Sequence, residues 1–388
     1  MSKIKSICLV SEGYPAKGDP FFPFVELLCK EFSRHGIQVT VICPQSILTC
    51  VRHKKRPHPW KRVDIVDGGA PIKIYQPYFL SLGYKSHKQR YQSYRHFKFV
   101  AEWTYRLIGI KPDICYAHFW YPGYSIHRCA NRNKIPLFVA TGEANLKQFE
   151  TEFNRKPLQN YFNTIRGVIA VSSENKQESV RMNLVDADNC IVIPNAVDES
   201  IFHPLDKSSL RKEHGIKESD FVVCFVGAFI NRKGSDRVSA AIDSLNDPEI
   251  KSFFIGGAQG DFNLVPNCPG ILKMGKIPHD ELPAYLSMAD VFVLPTLYEG
   301  CCNAIVEALA CGLPIISSDR SFNYDILDSS NSILVDPTDI SAIASAIKEL
   351  KDNPLKRNEL AKGALKKGKE LTITRRAQRI LSFIESKL

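Results

Sequence analysis

Short unbroken apolar runs recur along the chain, separated by segments whose apolar residues repeat every three or four positions. The runs fall at residues 5–10, 38–43, 112–118, 137–141, 168–171, 221–227, 253–255, 291–294, 315–316 and 332–335. Unbroken runs of this length suit strands buried on both faces of a parallel sheet. The helical spacing is clear in residues 22–35, where Phe24, Leu27, Leu28 and Phe32 share one face and Gly36 follows. Further helices are expected after residue 118 through 133, up to about 183, from about 235, and over 280–288, 303–310, 340–352, 355–369 and 375–386. Strand, loop, helix and strand in repeated succession predict an α/β protein built from Rossmann-like halves.

The densest stretch is residues 291–317. The strand Val291 to Leu294 leads through Pro295 into Glu299-Gly300-Cys301-Cys302-Asn303, then a helix, then Gly312-Leu313-Pro314 and a second strand. The loop lies at the carboxyl end of a parallel strand, where open α/β sheets bind ligands. The first amides of the helix lack internal partners and suit an anion. Glu299 lies in the loop and Glu307 about one turn into the helix. Taken singly, Glu299 reads equally well as a helix cap and Glu307 as a solvated residue.

A β–loop–α–β opening over residues 5–43 contains Gly18 in a Gly/Pro loop but no Gly-x-Gly-x-x-Gly, which argues against a dinucleotide enzyme. His118 closes a strand at its carboxyl end; a lone histidine there reads as a structural residue or as a ligand contact. The Pro and Asx residues of 193–204 read as a linker.

The order Glu-Gly-x-x-Asn-Ala-x-x-Glu-Ala-x-Ala-x-Gly-x-Pro-Ile after a strand ending in Pro resembles the signature of retaining glycosyltransferases of family 4, which have the GT-B fold. Pro194-Asn195-Ala196-Val197-Asp198 through Phe202-His203-Pro204 and Lys233-Gly234 are similar to further segments of that family. The resemblance implies two Rossmann-like domains facing across a cleft. The first spans 1–198 and binds the acceptor. The second spans 199–370 and binds a nucleotide sugar, and a C-terminal helix over 371–388 crosses back to the first. By the same resemblance, Glu307 holds the ribose and Glu299 a sugar hydroxyl. Lys233, Arg232 and the amides of Gly300, Cys301, Cys302 and Asn303 take the diphosphate. His118 meets the sugar from the opposite domain, Gly18 matches the first glycine-bearing loop, and the backbone at Lys276 and Ile277 reads the base. Ala228 stands where the family's arginine is expected, so Arg232 is assigned that charge. Gly142-Glu143 replaces the His-Gly of many relatives. The implied activity transfers a hexosyl unit from a UDP- or GDP-sugar to a glycan or lipid-linked acceptor, with no metal and no cofactor beyond the donor. Closure of the domains would exclude water.

Composition is that of an ordinary soluble globular chain, 44% hydrophobic and 24% charged over 388 residues. Twelve cysteines show no Cys-x-x-Cys spacing, so neither a zinc site nor a disulfide framework is indicated, and a cytoplasmic setting fits. No stretch approaches a membrane span or a signal peptide. Charge changes the picture more. Residues 1–181 carry 28 Lys and Arg against 13 Asp and Glu, a balance of +15, while the remainder balances at −5, together the net +10. The bases crowd into residues 50–106 among Trp60, Tyr84, Tyr91 and Tyr94. That mixture fits a peripheral contact with anionic headgroups on the cytosolic face of a membrane, and lipid-linked acceptors favour it over nucleic acid. Two rival readings stay open: a glycoside hydrolase using Glu299 and Glu307 as acid and base, and a non-catalytic binder of nucleic acid or membrane using the basic half.

Overall fold

A computed structural model describes residues 3–15, 22–52, 54, 56–83, 86–143, 155–258 and 264–388. The chain divides into two compact units, Met1–Ile193 with Arg376–Leu388, and Pro194–Arg375.

The first unit is built on strands β1 (Ser6–Val10), β2 (Gln38–Ile42), β3 (Gln45–Ser46), β4 (Lys61–Asp64), β5 (Ile72–Tyr75), β6 (Tyr78–Phe79), β7 (Ile114–His118), β8 (Leu137–Thr141), β9 (Ile165–Ala170) and β10 (Cys190–Val192). Eight of them form one sheet in the order β10-β9-β8-β7-β1-β2-β5-β4, while β3 and β6 pair separately. Every pairing in the large sheet is parallel except β4 with β5 at the edge. β7 and β8 are buried at every position, which is why their sequences are unbroken apolar runs rather than alternating ones. The terminal helix Ile373–Lys387 belongs to this unit from Arg376 onward and buries Ala377, Ile380, Leu381, Phe383 and Ile384. Phe383 lies over Gly167, where a Cβ would stand 2.9 Å from its ring. Arg376 and Arg379 fasten the helix to the carbonyls of Ile193 (2.5 Å) and Val192 (2.9 Å).

The basic and aromatic run over 50–106 contains more structure than its composition announces. It takes in the end of the helix Ile47–Arg52, strands β4 to β6, and most of the 22-residue helix His87–Ile108. A capping box starts that helix, with the Ser86 side chain accepting from the Gln89 amide and Gln89 reaching back to the Ser86 amide; Gly109 ends it at φ 62°. Its buried face is Ser93, Phe97, Ala101, Thr104 and Tyr105. Much of that stripe is small or polar, so hydrophobicity alone does not reveal it.

The second unit holds six parallel strands, β11 (Phe221–Ala228), β12 (Ile250–Gly257), β13 (Ile271–Gly275), β14 (Val291–Leu294), β15 (Ile315–Ser318) and β16 (Ser332–Val335), in the order β13-β12-β11-β14-β15-β16. Between β13 and β14 the expected helix over 280–288 is shorter. A 3₁₀ turn at His279–Glu281 precedes the helix Leu282–Met288, whose Pro283 occupies the first turn, where no amide hydrogen is needed. In each sheet the winding reverses once: β1 lies between β7 and β2, and β11 between β12 and β14. Within each sheet, the carboxyl ends at the reversal leave a crevice that no crossover connection covers.

At the opposite edge, Asp290 anchors the start of β14. It accepts from the Val222 amide (2.7 Å) and pairs with Arg211 (2.6 Å) and Lys207 (2.7 Å). The Arg211 and Asp290 side chains are 8% and 10% exposed. Burial raises the Asp290 carboxyl, but Lys207 and Arg211 outweigh it and hold the group below the usual carboxylate range. The stability it contributes is therefore present above the ordinary Asp value and is lost as pH falls through the lowered one. Asp290→Ala leaves Arg211 buried without its counter-charge and should cost about 3–5 kcal/mol. Chemical denaturation checks this: the variant should unfold at lower denaturant and lose part of the wild type's acid-dependent destabilisation.

Candidate active site

Two loops meet at the reversal point of the second sheet, one leaving β11 and the other leaving β14. The first must turn sharply into the helix Ser235–Leu245, and Gly234 makes the turn at φ 78°. A Cβ there would lie 2.5 Å from the Arg237 guanidinium and 3.0 Å from Pro295. Arg237, 8% exposed, spans the two loops, donating to Asn231 O and Oδ1 and to Pro295 O, each at 2.9 Å. The Leu297 amide (2.8 Å) and the Thr296 hydroxyl (3.2 Å) both donate to Arg232 O. The loops thus form one rigid ledge.

On that ledge Arg232 and Lys233 converge on a single carboxylate, Glu299. Arg232 Nη1 contacts Glu299 Oε1, Lys233 Nζ lies 2.5 Å from the same oxygen, and Thr296 Oγ1 donates to it at 3.3 Å. The Arg232 guanidinium also lies over the Tyr298 ring, 5.3 Å from its centroid. Burial pulls the Lys233 ammonium down, but Cys302 and Glu299 outweigh it and its value is raised, so it is fully charged. Two cations against one carboxylate leave a positive surplus in a largely buried place. Glu299 does not cap the helix Asn303–Ala310: that position is Cys302, with no side-chain oxygen on the helix amides. The amides of Ala304 and Ile305 face the Cys302 sulfur, a weak acceptor, and Lys233 Nζ lies 3.8 Å from it. Gly300, Cys301 and Cys302 are buried, and Asn303 is partly so.

Glu307 is buried rather than solvated, 8% exposed, and its Oε1 meets His279 Nε2 at 2.9 Å. Lys276 and Ile277 follow the end of β13; Lys276 is exposed, with its stem against Gly257 at the end of β12. Sequence reasoning passed over Asn195, whose side chain donates to Cys301 O (3.0 Å) and Asn303 Oδ1 (2.8 Å) and so holds the start of the helix. It also passed over His279 and Arg237. Only the Asn of the Pro-Asn-Ala segment left a trace, and that segment reads as a linker.

In the first unit, His118 ends β7 at the reversal point, 7% exposed and packed against Phe24 and Phe119. Its Nδ1 is buried without a hydrogen-bond partner among the described residues. Phe119 adopts φ 84° and ψ 160°, a conformation costly for a non-glycine residue. Glu143 compensates: its Oε1 accepts the Trp120 amide (2.8 Å), and its Oε2 accepts from Thr141 Oγ1 (2.8 Å) and the Gly142 amide (3.0 Å). Glu143 is therefore the cap of the helix Trp120–Arg132, whose N-cap residue supplies no side-chain oxygen. Burial nevertheless raises its carboxyl above the usual range. Gly18 lies outside the described residues. Among the described residues, no group of His, Cys, Asp and Glu could hold a metal ion.

The profile of the glycosyl transferases group 1 matches residues 206–367, and that of glycosyltransferase family 4 matches residues 24–201. A teichuronic acid biosynthesis glycosyltransferase of Bacillus subtilis, TuaC, is 25% identical over 348 residues, 87% of each chain. The Escherichia coli UDP-Gal:alpha-D-GlcNAc-diphosphoundecaprenol alpha-1,3-galactosyltransferase is 28% identical over 203 residues, 48% of this chain and 51% of that one. This chain thus matches about half the length of that relative. Among solved structures, sucrose-phosphate synthase of Thermosynechococcus elongatus superposes with a TM-score of 0.76 over 98% of each chain at 18% identity. The fold is GT-B.

Burial, with Arg376 adding to it, pulls the His118 imidazole down to about 3. The folded value is below the unfolded one, so protonation of the unfolded chain favours unfolding as pH falls from 6.5 toward 3. In NMR spectra the His118 ring should stay neutral from pH 8 to 5, and His118→Gln should flatten the acid limb of stability. A His118 midpoint near 6.5 would contradict the burial seen here.

Proposed function

We propose that this chain, which belongs to the group 1 and family 4 glycosyltransferases, moves a hexosyl unit from a UDP- or GDP-sugar to a glycan or lipid-linked acceptor, retaining the anomeric configuration and using no metal. The observation that carries the reading is the convergence of Arg232 and Lys233 on Glu299 beside the start of the helix Asn303–Ala310. A diphosphate would replace the carboxylate as partner of both cations and take the amides that now face only a sulfur. Freed of them, Glu299 would accept a hydroxyl of the sugar. Glu307 would accept from the ribose, and the backbone at Lys276 and Ile277 would meet the base. His118 would receive a sugar hydroxyl at Nδ1, as a neutral acceptor. Gly18 keeps its assignment to the loop after β1.

In the step proposed, the acceptor oxygen bonds to the anomeric carbon on the face from which the phosphate oxygen departs. The acceptor proton passes to that phosphate oxygen, giving a glycoside and a nucleoside diphosphate. Charge accumulates on the leaving group, so fixed cations and aligned amides lower the barrier most. Lys233→Ala should reduce kcat/KM by about 10²–10³ with the fold retained. The check is a panel of UDP-, GDP- and ADP-sugars scored by release of the nucleoside diphosphate. Unaltered turnover in the variant, or turnover without any nucleotide sugar, would remove the proposal.

The acceptor side of the proposal rests on the basic half. TuaC is named for teichuronic acid synthesis and the Escherichia coli relative for a diphosphoundecaprenol acceptor, which supports work on surface polysaccharide or glycolipid. On the helix His87–Ile108, Phe99 and Trp103 are 68% and 47% exposed, with Leu107 exposed beyond them and Arg95 and Arg106 alongside. Aromatic and basic side chains at four-residue spacing fit a headgroup layer, so an anionic cytosolic leaflet, and no nucleic acid, is the proposed partner. Among the described residues, no helix is long and apolar enough to cross a membrane. Vesicles containing phosphatidylglycerol should sediment the protein at low salt and release it at high salt, and Phe99→Ser with Trp103→Ser should abolish the binding. Equal binding to neutral vesicles would exclude the leaflet.

A further inference from the structure

Glu307, the carboxylate assigned to the ribose, has a side-chain partner of its own. His279 opens the turn just beyond β13, and its Nε2 lies 2.9 Å from Glu307 Oε1. Phe202 packs against the imidazole, ring centroids 5.1 Å apart. About half of the His279 side chain remains in solvent, whereas Glu307 is nearly enclosed. No other hydrogen bond to the Glu307 carboxylate is made among the described residues, so Oε2 is the oxygen left for a ligand. One imidazole therefore joins the segment assigned to the base with the carboxylate assigned to the ribose.

We infer that His279 is a positioning residue for nucleotide recognition: as a neutral ring it holds Glu307 in place for the ribose hydroxyls, and as an imidazolium it neutralises Glu307 and weakens that acceptance. The inference rests on the reading of Glu307 as the ribose carboxylate. A hydroxyl donating to a free carboxylate makes a charge-assisted bond, roughly twice as strong as one between neutral groups; a full positive charge on the other oxygen removes much of that advantage. The charged groups facing His279 are Glu307 from the helix Asn303–Ala310 and Asp280 on its own turn, while Cys311 faces Glu307 from behind. The hydrogen bond to Glu307 is the chief reason the His279 value lies above that of an ordinary imidazole, burial opposing it. Protonation of His279 thus competes with nucleotide. Affinity rises as pH rises through the His279 titration, and binding releases a proton over the same interval.

Calorimetry on the full chain tests this with UDP, GDP and ADP and their 2′,3′-dideoxy counterparts, between pH 6 and 9 and in buffers of different ionisation enthalpy. The ratio of dideoxy to ribose Kd isolates the ribose contacts. In the wild type the ratio should be about tenfold at high pH, the worth of roughly one hydrogen bond, and should shrink toward low pH, with proton release on binding. His279→Ala should bring the ratio near one at every pH. His279→Gln, whose amide can donate from the same place, should restore the ratio without its pH dependence. A ratio and pH slope unchanged in His279→Ala overturn the inference. If that ratio is lost in Glu307→Gln but kept in His279→Ala, the ribose reading stands and the role of His279 falls. If the wild type binds none of the nucleotides, both fall together.

Discussion

Everything at the candidate site depends on holding two like charges together in a place with little water. Arg232 and Lys233 are neighbours in sequence, and bringing both inward costs desolvation and mutual repulsion. Glu299 offsets that cost by accepting from both. The price of the arrangement is that the carboxylate must give way before an anionic ligand can use the cations. Exchange of one anion for another, rather than creation of a charged site from nothing, is what the geometry makes feasible. A carboxylate already in place also keeps the ledge ordered when no ligand is present.

The scaffold explains why that cluster can exist. Parallel strands deliver their following loops to one edge, and the reversal between β11 and β14 leaves that edge uncovered. Arg237 and the Leu297 amide then tie the two loops into one body, so the cations do not depend on flexible segments. The first unit uses the same device differently. At its reversal His118 is desolvated and neutral, and the backbone strain at Phe119 is held by the capping carboxylate Glu143. One edge concentrates charge, and the other presents an uncharged polar atom without a partner among the described residues.

Most strands and the helix carrying Glu307 were legible because their signals are local. An apolar run of four or more residues bounded by Gly, Pro or Asx needs no partner to be recognised, and β14 and the helix Asn303–Ala310 follow such limits. The helix His87–Ile108 lacks such a local signal because its buried stripe mixes Ser, Ala and Thr with two aromatics. β4 and β5 escaped because neither is an unbroken apolar run: β4, at the edge, alternates exposed with half-buried residues, and β5 is interrupted by the exposed Lys73. Asn195, Glu143 and His279 carry no periodicity at all, and their meaning comes from an atom more than twenty residues away.

By itself the sequence determined the class of fold, the alternation that builds parallel sheets, and the identities of Glu299, Glu307, Lys233 and His118 as residues worth locating. The class of fold follows from short-range rules, since buried strands must be apolar and helices need starts and stops; the four residues stand out through the resemblance to the family 4 signature. Tertiary structure decided the rest. It placed Glu299 on two cations instead of at a helix cap, buried Glu307 against His279, and left His118 Nδ1 without a partner among the described residues. The reason is physical: whether a polar group is satisfied, charged or available depends on what surrounds it in space, and the order of residues along a chain specifies that only through the completed fold.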